Sequence, residues 1–417
     1  MESGRSAVRL SLGSEAGRDE ARALVLRFLR GDVRADPYPV LNRIRQAGPV
    51  WLGDGVVVLS SYEQCASALR SADHTADPAG SCPLSSARLR RVLDRALSAD
   101  AVADLAPLVR SLVDDRLDSV AARGRLEVVS DLSHPVPMAV LCRLLGLPAD
   151  DAPWLRRRVM ALGTAAGSVL TGSVLTGAED PAVLAEQRRT ETELETYLVE
   201  AVRDRRHRAD GDGLLSRLVR ADQDGERLTD AEAASAGRML LVAGYETTAA
   251  LVSGGVLALL RAPHERDALR RDPGHARRLV EEILRVDPPV QVVRRRAGAD
   301  LDLCGARVPR GTVMVLLLAA AHRDPALTAN PDVFAPQGLT PHLAFGTGAR
   351  RCPGAPPARL IAQTVLVRFA QRVLGARFAL GTPSYGPSAA LRGLRALWVD
   401  ADGFAPRELP WQPSEAP

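Results

Sequence analysis

The feature that most restricts this chain is the segment 229–261, one long helical pattern that is nearly uncharged after Met239. A helix that is apolar all round has no face to offer water, so it belongs at the centre of a core. Gly244 and the pair Gly254-Gly255 are expected to break it, which argues for a core helix and against a membrane span. Further helical patterns cover 87–97, 99–120, 137–145, 151–163, 181–207, 212–220, 264–272 and 274–286, and a last one runs from Ala358 to Leu374. Asp36-Pro37-Tyr38-Pro39 reads as a turn into a short amphipathic helix. β-Branched residues from Val50 to Leu59 around Gly53-Asp54-Gly55 predict a hairpin. Short strands are expected from Val290 to Leu318 and over 378–400, with a Pro-rich irregular stretch at 325–341. The result is a mainly α fold with small β-sheets. Residues 1–20, rich in Gly, Ser and charge, are expected to be flexible, and 21–417 to form a single domain without a linker.

Composition narrows the function classes. Apolar residues make up 46% and aromatics 4%, so a large core must be built mostly from Leu, Val and Ala. The five cysteines are scattered and odd in number, which argues against a disulfide framework or a zinc site. All 54 basic residues are arginine, yet the net charge is only +4. The arginine runs 156–158 and 203–208 have acids nearby and read as solvated helix faces, so no nucleic acid partner is expected. The N-terminus lacks a basic-then-apolar signal pattern, and the expectation is a cytoplasmic protein with no membrane contact. One local duplication, Ser168–Gly172 followed by Ser173–Gly177, is expected to be a loop.

The chemistry is concentrated in Phe345-Gly346-Thr347-Gly348-Ala349-Arg350-Arg351-Cys352-Pro353-Gly354. Glycines allow positive φ and bring backbone amides close to a sulfur. Amide donors tune a metal-bound thiolate, and a helix N-terminus after the cysteine favours thiolate over thiol. A thiolate in such a loop can serve as an axial ligand to haem iron, with Arg350 placed to pair with a propionate. The plain alternative is a glycine-rich turn around an inert cysteine. A second stretch, Ala243-Gly244-Tyr245-Glu246-Thr247-Thr248, puts an acid and a hydroxyl inside the apolar helix, as proton delivery in a dry pocket requires. Glu282 and Arg285 share one helix face and can pair.

These motifs together resemble the cytochrome P450 family: its F-G-x-G-x-[HR]-x-C-x-G loop is filled at every fixed position. Its A-G-x-[ED]-T-T and E-x-x-R motifs also match, and order and spacing agree over roughly residues 30–400. The resemblance implies a long central helix over haem b, Cys352 as iron ligand, and O2 as co-substrate. It gives Thr247 the handling of oxygen, Glu246 a place in the proton relay, and Ala243 and Gly244 the contact with the cofactor. Phe345, Gly346 and Gly354 shape the loop, and the Glu282–Arg285 pair supports it from behind. Arg90, Arg295, His342 and Arg350 match the propionate partners. Arg294 and Arg296 could replace Arg295 by a one-residue shift. Tyr245 could narrow the pocket, donate a hydrogen bond or simply pack.

There are departures from the pattern. Ser86 stands where His is frequent, Pro353 and Pro357 where Leu is commoner, and Ile361 where Glu is frequent. The usual arginine between Phe334 and His342 is missing. The implied activity is a monooxygenase that oxidises, most simply hydroxylates, a small-molecule substrate of secondary metabolism. It would act as a monomer fed by an external electron donor, a ferredoxin or flavodoxin with its reductase. A peroxide-dependent oxidase and a non-catalytic auxiliary protein remain open alternatives.

Overall fold

The central segment is an unbroken helix, Asp230–Arg261, of 32 residues. In this computed structural model the described residues are 15–53, 55–71, 74–75, 87–175, 181–207, 213–220, 222–223, 226–379, 381 and 383–407. Thr229 starts the central helix with a capping box. Its hydroxyl accepts from the Glu232 amide at 3.2 Å, and the Glu232 carboxylate accepts from the Thr229 amide at 2.8 Å. The expected breaks are absent. Gly244 lies in ordinary contact with Leu141, and Gly254 meets nothing. Gly255 serves packing instead: a Cβ there would stand 2.9 Å from Leu366 Cδ2 on the helix Ala355–Arg372. A helical glycine costs about 1 kcal/mol relative to alanine, and burial of this helix within two cores outweighs that.

The two cores meet along the central helix. Ala233, Leu240, Leu241 and Tyr245 pack with the helices Pro135–Leu145, Ala152–Leu175 and Pro181–His207. Leu251, Val252, Val256 and Leu259 pack with the helices Ala106–Ala121, Ala276–Val286 and Ala355–Arg372. The polar stretch Glu246–Thr248 therefore falls at the seam between them. Among the described residues this helix alone is long and apolar enough to cross a membrane, and 67% of its apolar window is buried in the fold.

The largest sheet has the order Val50–Trp51, Val56–Leu59, Val313–Leu317, Val292–Ala297, His74–Thr75. The first two strands form the expected hairpin. Val56–Leu59 and Val313–Leu317 run parallel, and Val313–Leu317 lies antiparallel to Val292–Ala297 with Met314 opposite Arg295.

Three expectations need correction. Residues 15–20 are helical, inside Glu15–Arg30. The duplicated segment is helical through Leu175, where a loop was expected; no proline interrupts it, and its glycines are tolerated. The helix after the cysteine loop starts at Ala355, before Ala358, because Pro356 and Pro357 occupy its first turn. A first-turn amide has no partner within the helix, so proline loses nothing there.

Gly255→Val should destabilise the fold by about 1–3 kcal/mol through overpacking against the fully buried Leu366. Gly254→Ala, facing open space, should be neutral or stabilise by up to about 1 kcal/mol. Urea denaturation of both variants separates the two roles.

Candidate active site

The site is built outward from one buried ion pair. Glu282 and Arg285, 3% and 2% exposed, sit one turn apart on the helix Ala276–Val286. The guanidinium donates from Nε to Glu282 Oε2 at 2.8 Å and from Nη2 to Oε1 at 2.7 Å. Its remaining donors reach the carbonyls of His322 (3.2 Å), Pro331 (2.6 Å) and Val333 (2.9 Å). Glu282 Oε1 also accepts from the Ala335 amide at 2.9 Å. The irregular stretch before the cysteine loop is thus pinned by backbone contacts to one pair. His322 continues the strut: its Nε2 accepts from the Leu343 amide at 2.8 Å, and burial holds its pKa down at about 3, so the ring stays a neutral acceptor.

Leu343 leads into the loop itself. The Gly346 amide donates to Leu343 O at 2.8 Å, and the Cys352 amide donates to Phe345 O at 2.8 Å, closing the turn. Gly346 and Gly348 have φ of 68° and 70°, the left-handed region that only glycine adopts without strain. Gly348 also lies against the helix Tyr62–Arg70, where a Cβ would be 3.3 Å from Arg70 Cα. Cys352 is exposed by surface area, yet enough protein surrounds the sulfur for burial to push its thiol pKa up. The Gly354 amide and the charges of Arg90, Arg359 and Arg351 act in the opposite direction. Desolvation is the largest of these influences, so the thiol pKa stays raised although the helix begins at Ala355, three residues on.

The expected anion partners separate into two groups. Arg90 holds the Asp94 carboxylate at 2.9 and 3.0 Å and donates from Nη2 to Arg351 O in the loop. Its Nη1 is buried and makes no hydrogen bond. Arg350 is exposed at the end of the short 3-10 turn Gly348–Arg350. Arg295 shares its sheet face with Met314, which packs in the core containing Leu69 of the Tyr62–Arg70 helix. Arg294 and Arg296, one residue away, share the other face with Val315 and Val313, so a one-residue shift cannot substitute them.

His342 is held from two sides within the protein. Its Nδ1 accepts from the Ala344 amide at 3.2 Å and its Nε2 lies 3.0 Å from Glu281, so both ring nitrogens are engaged within the protein. Arg359 completes the cluster, donating to Glu281 at 2.6 and 2.8 Å while its guanidinium stands 4.4 Å from the Phe345 ring centroid. Burial raises the pKa of Glu281, but the bonds from Arg359 and His342 hold it down at about 2. Sequence reading missed Glu281 and Arg359; the doubled acid Glu281-Glu282 was the available signal.

On the central helix, Thr247 Oγ1 donates to Ala243 O at 2.7 Å, which ties the hydroxyl to its own helix. Glu246 makes no hydrogen bond or ion pair among the described residues, and burial pushes its pKa up to about 7. Tyr245 is fully buried in the core, its hydroxyl 2.7 Å from His134 Nδ1. Burial lowers the His134 pKa, so the neutral ring accepts and Tyr245 donates. Of the expected roles for Tyr245, the hydrogen bond is the one realised. Ser86, most of the 71–86 segment and the side chains of 164–175 lie outside the described residues.

The donor set fits haem. Cys352 carries a free thiol, and an unbonded, buried guanidinium nitrogen of Arg90 beside the same loop calls for an anion such as a propionate.

Comparison with known proteins agrees. The sequence pattern of the cytochrome P450 family matches residues 183–373. The chain is 33% identical to cytochrome P450 monooxygenase PikC of Streptomyces venezuelae, over 90% of this chain and 93% of that one. It is 29% identical to the epothilone C/D epoxidase of Sorangium cellulosum, over 87% and 92%. Among solved structures, ligand-free Mycobacterium smegmatis CYP164A2 superposes with a TM-score of 0.82 at 36% identity, covering 91% of this chain and all of that one. P450BioI in complex with a hexadec-9Z-enoic acid ligated acyl carrier protein gives 0.80 at 29% identity, over 89% and 100%.

Glu282→Ala should strand the Arg285 charge and cost about 3–5 kcal/mol. Chemical denaturation should show that loss together with reduced haem content, whereas Glu281→Gln, which weakens bonds to a partly exposed Arg359, should cost less, about 1–2 kcal/mol.

Proposed function

The chain belongs to the cytochrome P450 family of monooxygenases, and from that premise we propose that it inserts oxygen into a small organic molecule of secondary metabolism. The observation that carries the reading is the joint presence of the Cys352 loop and an acid, Glu246, that has no ion pair among the described residues and whose pKa burial pushes up to about 7. When bound, haem b with a thiolate ligand supplies O2 activation and favours O–O cleavage. Cys352 would hold the iron, and the Gly354 amide would stabilise the sulfur's negative charge. Arg90 Nη1, Arg350 and Arg295 would neutralise the propionates. Glu246 can gain and lose a proton near neutral pH, which suits a group that passes protons inward. Thr247 would present its hydroxyl beside that acid, at the seam between the two cores.

The substrate class rests on relatives that include an epothilone epoxidase and a bacillaene polyketide synthase cytochrome P450. Electrons would come from a ferredoxin or flavodoxin with its reductase, docking near the exposed Arg350, Arg351, Val333 and Leu339. A monomer in the cytoplasm is the arrangement this reading favours.

A library of polyketides and fatty acyl compounds, free and carrier-bound, should first be screened by spin-state shifts of the ferric protein. Hits should then be turned over with a surrogate ferredoxin system under labelled O2. The expected product carries one labelled oxygen atom, and Glu246→Gln and Thr247→Ala lower its yield by about 10²-fold or more. Product formed only with added peroxide, and unaffected by Thr247→Ala, would select the peroxide-dependent alternative.

Protonated Glu246 is the form that gives up a proton. Donor-supported turnover should therefore fall as pH rises through about 7. A pH–rate profile of parent and Glu246→Gln checks this, the variant lacking that limb.

A further inference from the structure

Glu246 reaches across to the helix Ala152–Leu175 at a position that has no side chain. A Cβ built on Gly163 would stand 2.0 Å from Glu246 Oε2, 2.6 Å from its Cδ and 3.1 Å from Oε1. The carboxyl group therefore occupies the volume that any other residue at 163 would fill. The helix cannot recede to make room, since Leu155, Val159 and Leu162 on it are buried in the core that contains Tyr245. On the other side of the central helix, Gly244 is in contact with Leu141.

We propose that Gly163 is a positioning residue: its bare backbone is the seat that holds the Glu246 carboxyl group against the neighbouring helix and out of water. This deepens the monooxygenase reading and rests on it for its consequence, though not for its geometry. The seat contributes no charge. Among the described residues no ion pair or hydrogen bond reaches Glu246 from either helix or from Pro135–Leu145. The ionisable group that feels its charge is Tyr245, which is bonded to His134 and also acted on by Arg156 of the overlying helix. Desolvation alone then raises the Glu246 pKa. A methyl group at 163 would meet the far end of a flexible side chain, so the fold should tolerate it. The carboxyl group would instead swing toward the open side of the central helix, at Ala243 and Thr247.

The test is an infrared pH titration of the haem-loaded, substrate-free protein, with the Glu246 carboxyl band assigned by its loss in Glu246→Gln. In the parent the band should titrate near pH 7. In Gly163→Ala the midpoint should fall by a unit or more, an about tenfold weaker hold on the proton. Glu246→Asp is one methylene shorter and cannot reach the seat. Adding Gly163→Ala to it should therefore leave the aspartate midpoint unchanged. An unmoved midpoint in Gly163→Ala, or an equal shift in both backgrounds, would overturn the proposal. Haem content and unfolding midpoints confirm that each variant is folded. The titration does not depend on turnover, so a failed monooxygenase reading and a failed seat give different results.

Discussion

The cysteine side of this molecule depends on the buried Glu282–Arg285 pair. A guanidinium and a carboxylate removed from water cost several kcal/mol each unless every donor and acceptor is used. Here the two ends satisfy each other, and the remaining donors bind the carbonyls of His322, Pro331 and Val333. Those residues belong to a stretch with almost no regular structure. Without the pair, the segment leading to Leu343 and Phe345 would have little to fix it, and the Cys352 amide would have no set place for its bond to Phe345 O. The Cys352 sulfur is thus placed from a rigid helix through backbone contacts, which tolerate changes of sequence in between. The missing arginine between Phe334 and His342 is one such change, with Glu282 binding the Ala335 amide directly.

The oxygen side follows a different logic. The central helix is held by two cores, one on each half, and its polar residues fall where neither core reaches. Among the described residues Glu246 has no charge partner, and desolvation sets its proton affinity near neutrality. Thr247 is tied to Ala243 O on its own helix, and the bond of Tyr245 to His134 ties that helix to a neighbouring segment. Burial without pairing is costly for stability, so an acid kept in that state marks function more than folding.

The sequence made some of this legible and hid the rest for physical reasons. The cysteine loop could be read because its glycines are needed for positive φ, a local requirement. The helix Pro181–His207 agrees with the expected span because its pattern is local too. Gly255 was misread as a break because its role depends on Leu366, more than a hundred positions away. The helix after the loop was expected only from Ala358, because prolines are unusual inside a helix, yet Pro356 and Pro357 fit in its first turn. The contact of His342 with Glu281, from a helix sixty-one positions earlier, could not be read because it is set by tertiary packing. Arg295 could be told from its neighbours only once strand register was known.

The account stands on Cys352 being held by the buried pair as a thiolate ligand to haem. The most direct check is the visible spectrum of the reduced protein under carbon monoxide, recorded for the parent and for Cys352→His. A strongly red-shifted Soret band in the parent, moved to the imidazole-type position in the variant, is the predicted result. An imidazole-type band in the parent, or no bound haem, would contradict it.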